Sequence, residues 1–109
     1  MGSMFIVMNR FTVTPGREAD FMQAFTGRAR LVDVMPGFLG QDMLKPSGEG
    51  VFISMTRWRS QADFENWTKS EAFKQGHSRR HPGMFAAHPQ LEMYEVFDST
   101  FEAGPSEDE

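Results

Sequence analysis

Cysteine is absent from the 109 residues, which removes disulfides, thiolate metal sites and cysteine nucleophiles together and fits a reducing compartment. Long hydrophobic runs are missing too. Charges interrupt every apolar stretch well short of the roughly 20 residues that a membrane-crossing helix needs. The opening Met1-Gly2-Ser3-Met4 has neither the charged start nor the apolar stretch of a signal peptide, so a cytoplasmic protein with no membrane partner is expected. There is no phosphate-cradling glycine loop, no nucleophile elbow and no dinucleotide fingerprint. Chemistry must then come from a bound cofactor or from the substrate itself. Clustered excess base, which a nucleic-acid surface requires, is lacking as well. The formal net charge is −4, and Glu102, Glu107, Asp108 and Glu109 supply all of the excess, because the other eleven acids match the eleven Lys and Arg. The body is therefore close to neutral. Residues 1–101 read as one domain and residues 102–109 as an acidic, solvated, disordered tail.

What is present is a regular alternation of elements. Phe5, Val7, Asn9, Phe11 and Val13 alternate with Ile6, Met8, Arg10 and Thr12, the two-residue period of a strand. A turn at Thr14-Pro15-Gly16 leads into a helix over residues 17–35, with Glu18 and Asp20 in its first turn and Phe21, Phe25, Val32 and Met35 at helical spacing. Gly27 weakens the middle of that helix and Pro36-Gly37 ends it. Residues 38–44 and 51–58 read as strands joined by the turn-rich 45–50. A second helical segment starts after Ser60 and runs through Phe64 and Trp67 towards His77. A loop over 78–89 follows, broken by Pro82, Gly83 and Pro89, and a strand over 91–101 closes the domain.

The order is β-α-β-β-α-β, which predicts an α+β, ferredoxin-like domain with helices on one face of an antiparallel sheet. Ile6, Met8, Leu39, Met43, Ile53 and Met55, interleaved with Arg10, Gln41 and Arg57, are assigned to the other face. A face that apolar calls for a partner, most simply a second copy, so a homodimer is expected.

Three places carry candidate chemistry. Asn9 stands in the row of Phe5, Val7, Phe11 and Val13, where a core residue is expected. A buried amide there must be satisfied or cost about 1–3 kcal/mol. It is either bonded to a loop backbone or a donor pointing into a cavity between sheet and helices. The second place is Phe64-Glu65-Asn66-Trp67-Thr68-Lys69-Ser70-Glu71-Ala72-Phe73-Lys74-Gln75-Gly76-His77. At about 100° per residue an unbroken helix turns Trp67 and His77 away from each other. Ser70-Glu71 is a plausible N-cap, and a restart there would let Phe64, Trp67, Phe73 and His77 face one space. Otherwise Trp67 is ordinary core and His77 a helix cap. The third is His77 and His81 at i and i+4, a zinc spacing that Pro82-Gly83 and the lack of a nearby acid argue against. His88 reads as a loop histidine.

At these residues the chain resembles the antibiotic-biosynthesis monooxygenase superfamily, and within it the heme-degrading monooxygenases of the IsdG type. The likeness runs from Phe5 to the last strand. It rests on Asn9 with the following Arg10-Phe11-Thr12-Val13-Thr14-Pro15-Gly16, on Pro36-Gly37-Phe38, on Trp58, and on the spacing of Phe64, Trp67, Ser70, Phe73 and His77. Asn9, Trp67 and His77 together single out the heme-degrading branch. The resemblance implies a dimeric α/β-barrel and a protein that opens the porphyrin ring and releases iron, with heme as both substrate and cofactor, using dioxygen and electrons from an external reductant or reductase. It implies His77 as axial ligand of heme iron, Asn9 as a hydrogen-bond donor on the distal side, and Trp67 as the group that presses the macrocycle out of plane. Phe21, Phe25, Phe64 and Phe73 would wall the macrocycle, Arg79 or Arg80 would meet its propionates, and Met84 to Ala87 would form a flap. Two other readings remain: a cofactor-free monooxygenase of the same fold acting on an aromatic, polyketide-like substrate, and a non-catalytic heme carrier.

Overall fold

Two-residue alternation and the Pro-Gly and Gly-rich turns produce a four-stranded antiparallel sheet in this computed structural model, which describes residues 4–28, 30–76 and 81–101. His77, Arg79 and Arg80, and the tail 102–109, lie outside the described residues. The strands are β1 (Phe5–Phe11), β2 (Phe38–Leu44), β3 (Phe52–Trp58) and β4 (Gln90–Glu95), paired in the order β2-β3-β1-β4. The helices are α1 (Glu18–Thr26), α2 (Gln61–Thr68) and α3 (Glu71–Gly76), with a 3-10 turn over Leu31–Val34. This is the expected ferredoxin-like βαββαβ arrangement.

The strand registers sort the helix-facing side of the sheet into rows. Phe38, Trp58, Phe5 and Glu95 form one row, and Gln41, Thr56, Val7 and Met93 the next. Met43, Ser54, Asn9 and Leu91 form the third, and Phe52 pairs with Phe11 beyond it. Phe5, Val7, Trp58 and Trp67 make one buried cluster, roofed by Leu31, Val32, Met35, Phe64 and Phe73. Phe11, Phe21, Phe52 and Met84 make a second, roofed by Met22, Phe25 and Phe85. Trp58 is wholly buried, its indole Nε1–H donating to Thr56 Oγ1 at 3.0 Å, so the largest side chain in the core leaves no polar atom unpaired.

Four expectations change. The helix expected over 17–35 ends at Thr26. Gly27 serves as its C-cap, the Gly27 N–H reaches the Gln23 carbonyl, and the Arg28 N–H and guanidinium both fold back onto the Phe25 carbonyl. Gly27 therefore terminates the helix instead of weakening it, and a separate 3-10 turn carries Leu31 and Val32 to the core. Second, the β2–β3 register shifts between Phe38 and Gly40, a bulge at Leu39. One extra residue reverses the faces beyond it, so Gln41 and Met43 point at the helices and Asp42 and Leu44 away. Gln41 and Met43 thus leave the outer set. Third, Met84 to Ala86 is no flap. Thr14 N–H donates to Met84 O and Ala86 N–H to Thr12 O, each at 2.8 Å, Val13 bridges Phe85, and Met84 is buried. Fourth, the closing strand stops at Glu95 rather than running to 101. Val96 N–H reaches Met4 O, and past it Phe97 is 96% exposed.

The outer face keeps Ile6, Met8, Ile53 and Met55, each half-buried. Around them Arg10 pairs with Glu92 at 3.0 Å and the Arg57 guanidinium lies 4.3 Å from the Phe101 ring centre.

Candidate functional site

Two serines build the helical side of the site. Ser60 Oγ accepts from the Asp63 N–H at 3.1 Å and starts α2. Ser70 Oγ accepts from the Phe73 N–H at 3.0 Å and donates to the Trp67 carbonyl at 2.7 Å. It closes α2 and opens α3 with one hydroxyl. The break expected near Ser70 is therefore present, and it brings Trp67 and Phe73 edge to face, 5.4 Å between ring centres. Ser70→Ala is expected to cost about 1 kcal/mol of stability, the worth of one cap. It should also change the Trp67 fluorescence maximum as α3 loosens, measured by denaturant titration and emission spectra. An unchanged spectrum would separate the break from the ring geometry.

Phe64 packs against Phe5 and Trp58, at 6.0 and 5.8 Å between ring centres, and lies beneath the same cluster. Phe25 sits in the other cluster, 4.7 Å from Phe21 and 5.4 Å from Phe11. An open groove of about 170 Å³ runs beside Phe21, Met22, Phe25, Met43 and Phe52. That is below the roughly 300 Å³ at which ordinary ligand pockets begin, so this groove alone holds no large planar molecule.

Asn9 lies between the clusters. Val7 and Trp67 are on one side of it along the sheet, Phe11 and Phe21 on the other. The residue is half-buried, and its amide reaches solvent and makes no hydrogen bond to any described residue. The loop-backbone partner that would make it an ordinary core amide is not among the described residues. Beside it on β4, Leu91 and Met93 share its face and are 53% and 51% exposed. The helical layer stops short of them. An uncommitted amide thus stands next to uncovered apolar side chains, and Trp67 and Phe73 pack in the cluster that holds its strand neighbour Val7.

Three polar residues of this region escaped sequence reasoning. Arg28 donates through Nη2 to Gln41 Oε1 at 2.7 Å, and Gln41 Nε2 donates to Ser54 Oγ at 2.9 Å and towards Met43 Sδ at 3.8 Å. Ser54 is buried and stands directly opposite Asn9 across the β1–β3 pair. Burial lowers the Arg28 guanidinium from its ordinary pKa, neighbouring Arg30 lowers it further, and Asp33 opposes both. The signal for Ser54 was available: it interrupts the row Phe52, Thr56, Trp58 as Asn9 interrupts its own. For Arg28 and Gln41 there was none short of the bulge and the helix end.

Among the described residues no group of three His, Cys, Asp or Glu could hold a metal ion, and no helix is long and apolar enough to cross a membrane. His81 is half-buried, with its carbonyl accepting from the Met84 N–H, and His88 is exposed.

The model of the antibiotic biosynthesis monooxygenase family matches residues 4–79. A curated heme-degrading monooxygenase of Halalkalibacterium halodurans is 34% identical over 96 residues, 85% of this chain and 82% of that protein. One from Bacillus cereus is 40% identical over 81 residues, 71% of this chain and 74% of that protein. Among solved structures, the heme-degrader MhuD of Mycobacterium tuberculosis, with two hemes bound in its active site, superposes with a TM-score of 0.76 at 26% identity, over 89% of this chain and 99% of that one.

Proposed function

The chain belongs to the antibiotic biosynthesis monooxygenase family, and from that premise we propose that it is a heme-degrading monooxygenase whose site is the row of Asn9 with Trp67 and His77. The observation that carries the site is the half-buried Asn9 amide with no bonding partner among the described residues, beside the uncovered Leu91 and Met93. A donor with no partner in the protein and open to solvent is free to serve a ligand that excludes water around it. Heme fits this surface: Leu91, Met93 and Phe73 offer apolar contact, and Trp67, held by the Ser70 break, presents a rigid edge. Bound heme would supply the iron that activates dioxygen, with electrons from an external donor, and would itself be the molecule oxidised. Asn9 would orient and donate on one side of the ring. His77, the first residue after α3, would hold the iron through a neutral imidazole, and Arg79 would meet a propionate.

A second copy of the chain is proposed to cover the outer face with Ile6, Met8, Ile53 and Met55. The reaction is assigned to the cytoplasm, where reductases supply electrons.

The test uses purified full-length protein, expected to sediment as a dimer. Hemin titration should give a Soret band saturating near one heme per chain, and ascorbate in air should bleach it with release of iron. Stable binding without bleaching would make the protein a carrier. No binding would return it to the cofactor-free branch of the family.

A further inference from the structure

The third row of the helix-facing side sets two polar residues, Ser54 and Asn9, side by side in the gap between the buried clusters. What the Ser54 hydroxyl can do follows from its neighbours. Arg28 has only N–H donors, so the Gln41 atom facing it must be Oε1. That turns the Gln41 NH2 group towards Ser54 Oγ at 2.9 Å and Met43 Sδ at 3.8 Å. Ser54 Oγ therefore accepts from Gln41, and its own proton must go elsewhere. No described residue accepts it. Gln41 stands on β2 and approaches from that side, which leaves the O–H to the β1 side of β3, where the Asn9 amide reaches solvent. The two side chains face each other across the strand pair without a hydrogen bond between them, so each is free for a third partner. Facing residues in such a pair have Cβ atoms about 4.5–5.5 Å apart, and an acceptor atom above them lies within reach of both.

We propose that Ser54 is a second hydrogen-bond donor to the ligand: its hydroxyl, from β3, and the Asn9 NH2, from β1, converge on one acceptor atom of the bound molecule. The proposal rests on Asn9 lying against that ligand. A single donor lets an acceptor swing about it, whereas two donors on separate strands hold it on one line. Donors fixed by the fold need no rearrangement when negative charge gathers on the atom they hold. The Ser54 donor is also strengthened from behind. Arg28 polarises the Gln41 amide, and the Gln41 NH2 draws charge from Ser54 Oγ, so each bond of the chain reinforces the next.

The test uses fluoride, an anion that accepts hydrogen bonds and donates none, titrated into the ferric heme complex of the full-length protein. It is read as the fluoride dissociation constant alongside hemin affinity. Ser54→Ala is expected to weaken fluoride binding about 3- to 10-fold, the worth of one hydrogen bond, with hemin affinity within a few-fold of wild type. Ser54→Thr, which keeps the hydroxyl in a residue suited to a strand, should bind fluoride as the wild type does. Because the two donors act side by side, Ser54→Ala should weaken fluoride binding again in an Asn9→Ala background. No loss in Ser54→Ala, an equal loss in Ser54→Thr, a loss that vanishes in the Asn9→Ala background, or loss of heme binding in Ser54→Ala overturns Ser54 as a donor to the ligand. Fluoride affinity unchanged in Asn9→Ala alone overturns instead the placing of Asn9 against the ligand.

Discussion

His77→Ala is expected to weaken heme binding by at least about 100-fold, the upper end of what removing a group one shell outside a metal site costs. The Soret band should shift and the bleaching under ascorbate should stop. The imidazole of His77 is the group assigned to the iron, and the chain has no cysteine to replace it. Stability of the heme-free variant, read from its melting curve, should stay close to wild type. Added imidazole should restore the Soret position of the variant, because a free ring can occupy the space the side chain leaves. Degradation that continues in His77→Ala without imidazole would remove the axial assignment.

Asn9→Ala has the second-largest expected effect, and it separates activity from stability. Removing one pre-oriented donor from an active site typically costs roughly 100-fold in turnover. Hemin affinity should stay within a few-fold, because the apolar contacts of Leu91, Met93 and Phe73 remain. Thermal stability should hold or rise. The amide has no described partner and its atoms reach solvent, so its loss breaks no internal bond. Functional groups that stabilise nothing in the free protein commonly behave this way. A melting temperature that falls by several degrees would mean that Asn9 is a structural amide, and the site would have to be sought elsewhere.

The features legible in the sequence were those with local causes. Ser70 caps through its own hydroxyl to a backbone N–H three residues on, and Pro36-Gly37 turns the chain where it stands, so both could be read from neighbours. Asn9 was conspicuous because strand alternation needs only a few residues to establish which side chain is out of place. The errors came from pairings that local sequence does not encode. The bulge at Leu39 exists only relative to β3, and without it Gln41 and Met43 were assigned to the wrong face. Met84 to Ala86 resembles a mobile apolar loop until it is paired with Thr12 and Thr14, 70 or more positions earlier. Gly27 was read by its helix propensity, when the deciding fact was the Arg28 guanidinium turning back onto the last turn. Arg28, Gln41 and Ser54 form a site component only after the helix end and the bulge have both been placed.

The bulge has a consequence for how sequence length encodes chemistry here. Because Leu39 is the unpaired extra residue, deleting it would leave Gly40 opposite Arg57 and Gln41 opposite Thr56, and the faces beyond it would keep their places. If Leu39 instead stayed and paired with Arg57, every residue from Gly40 to Leu44 would move one partner along, Gln41 would face out and Asp42 would take the place opposite Ser54. A carboxylate only accepts, so it could take Arg28's donor but offer none to Ser54. One backbone unit, with no side chain of its own among the polar groups, thus decides whether an amide or a carboxylate stands between Arg28 and Ser54.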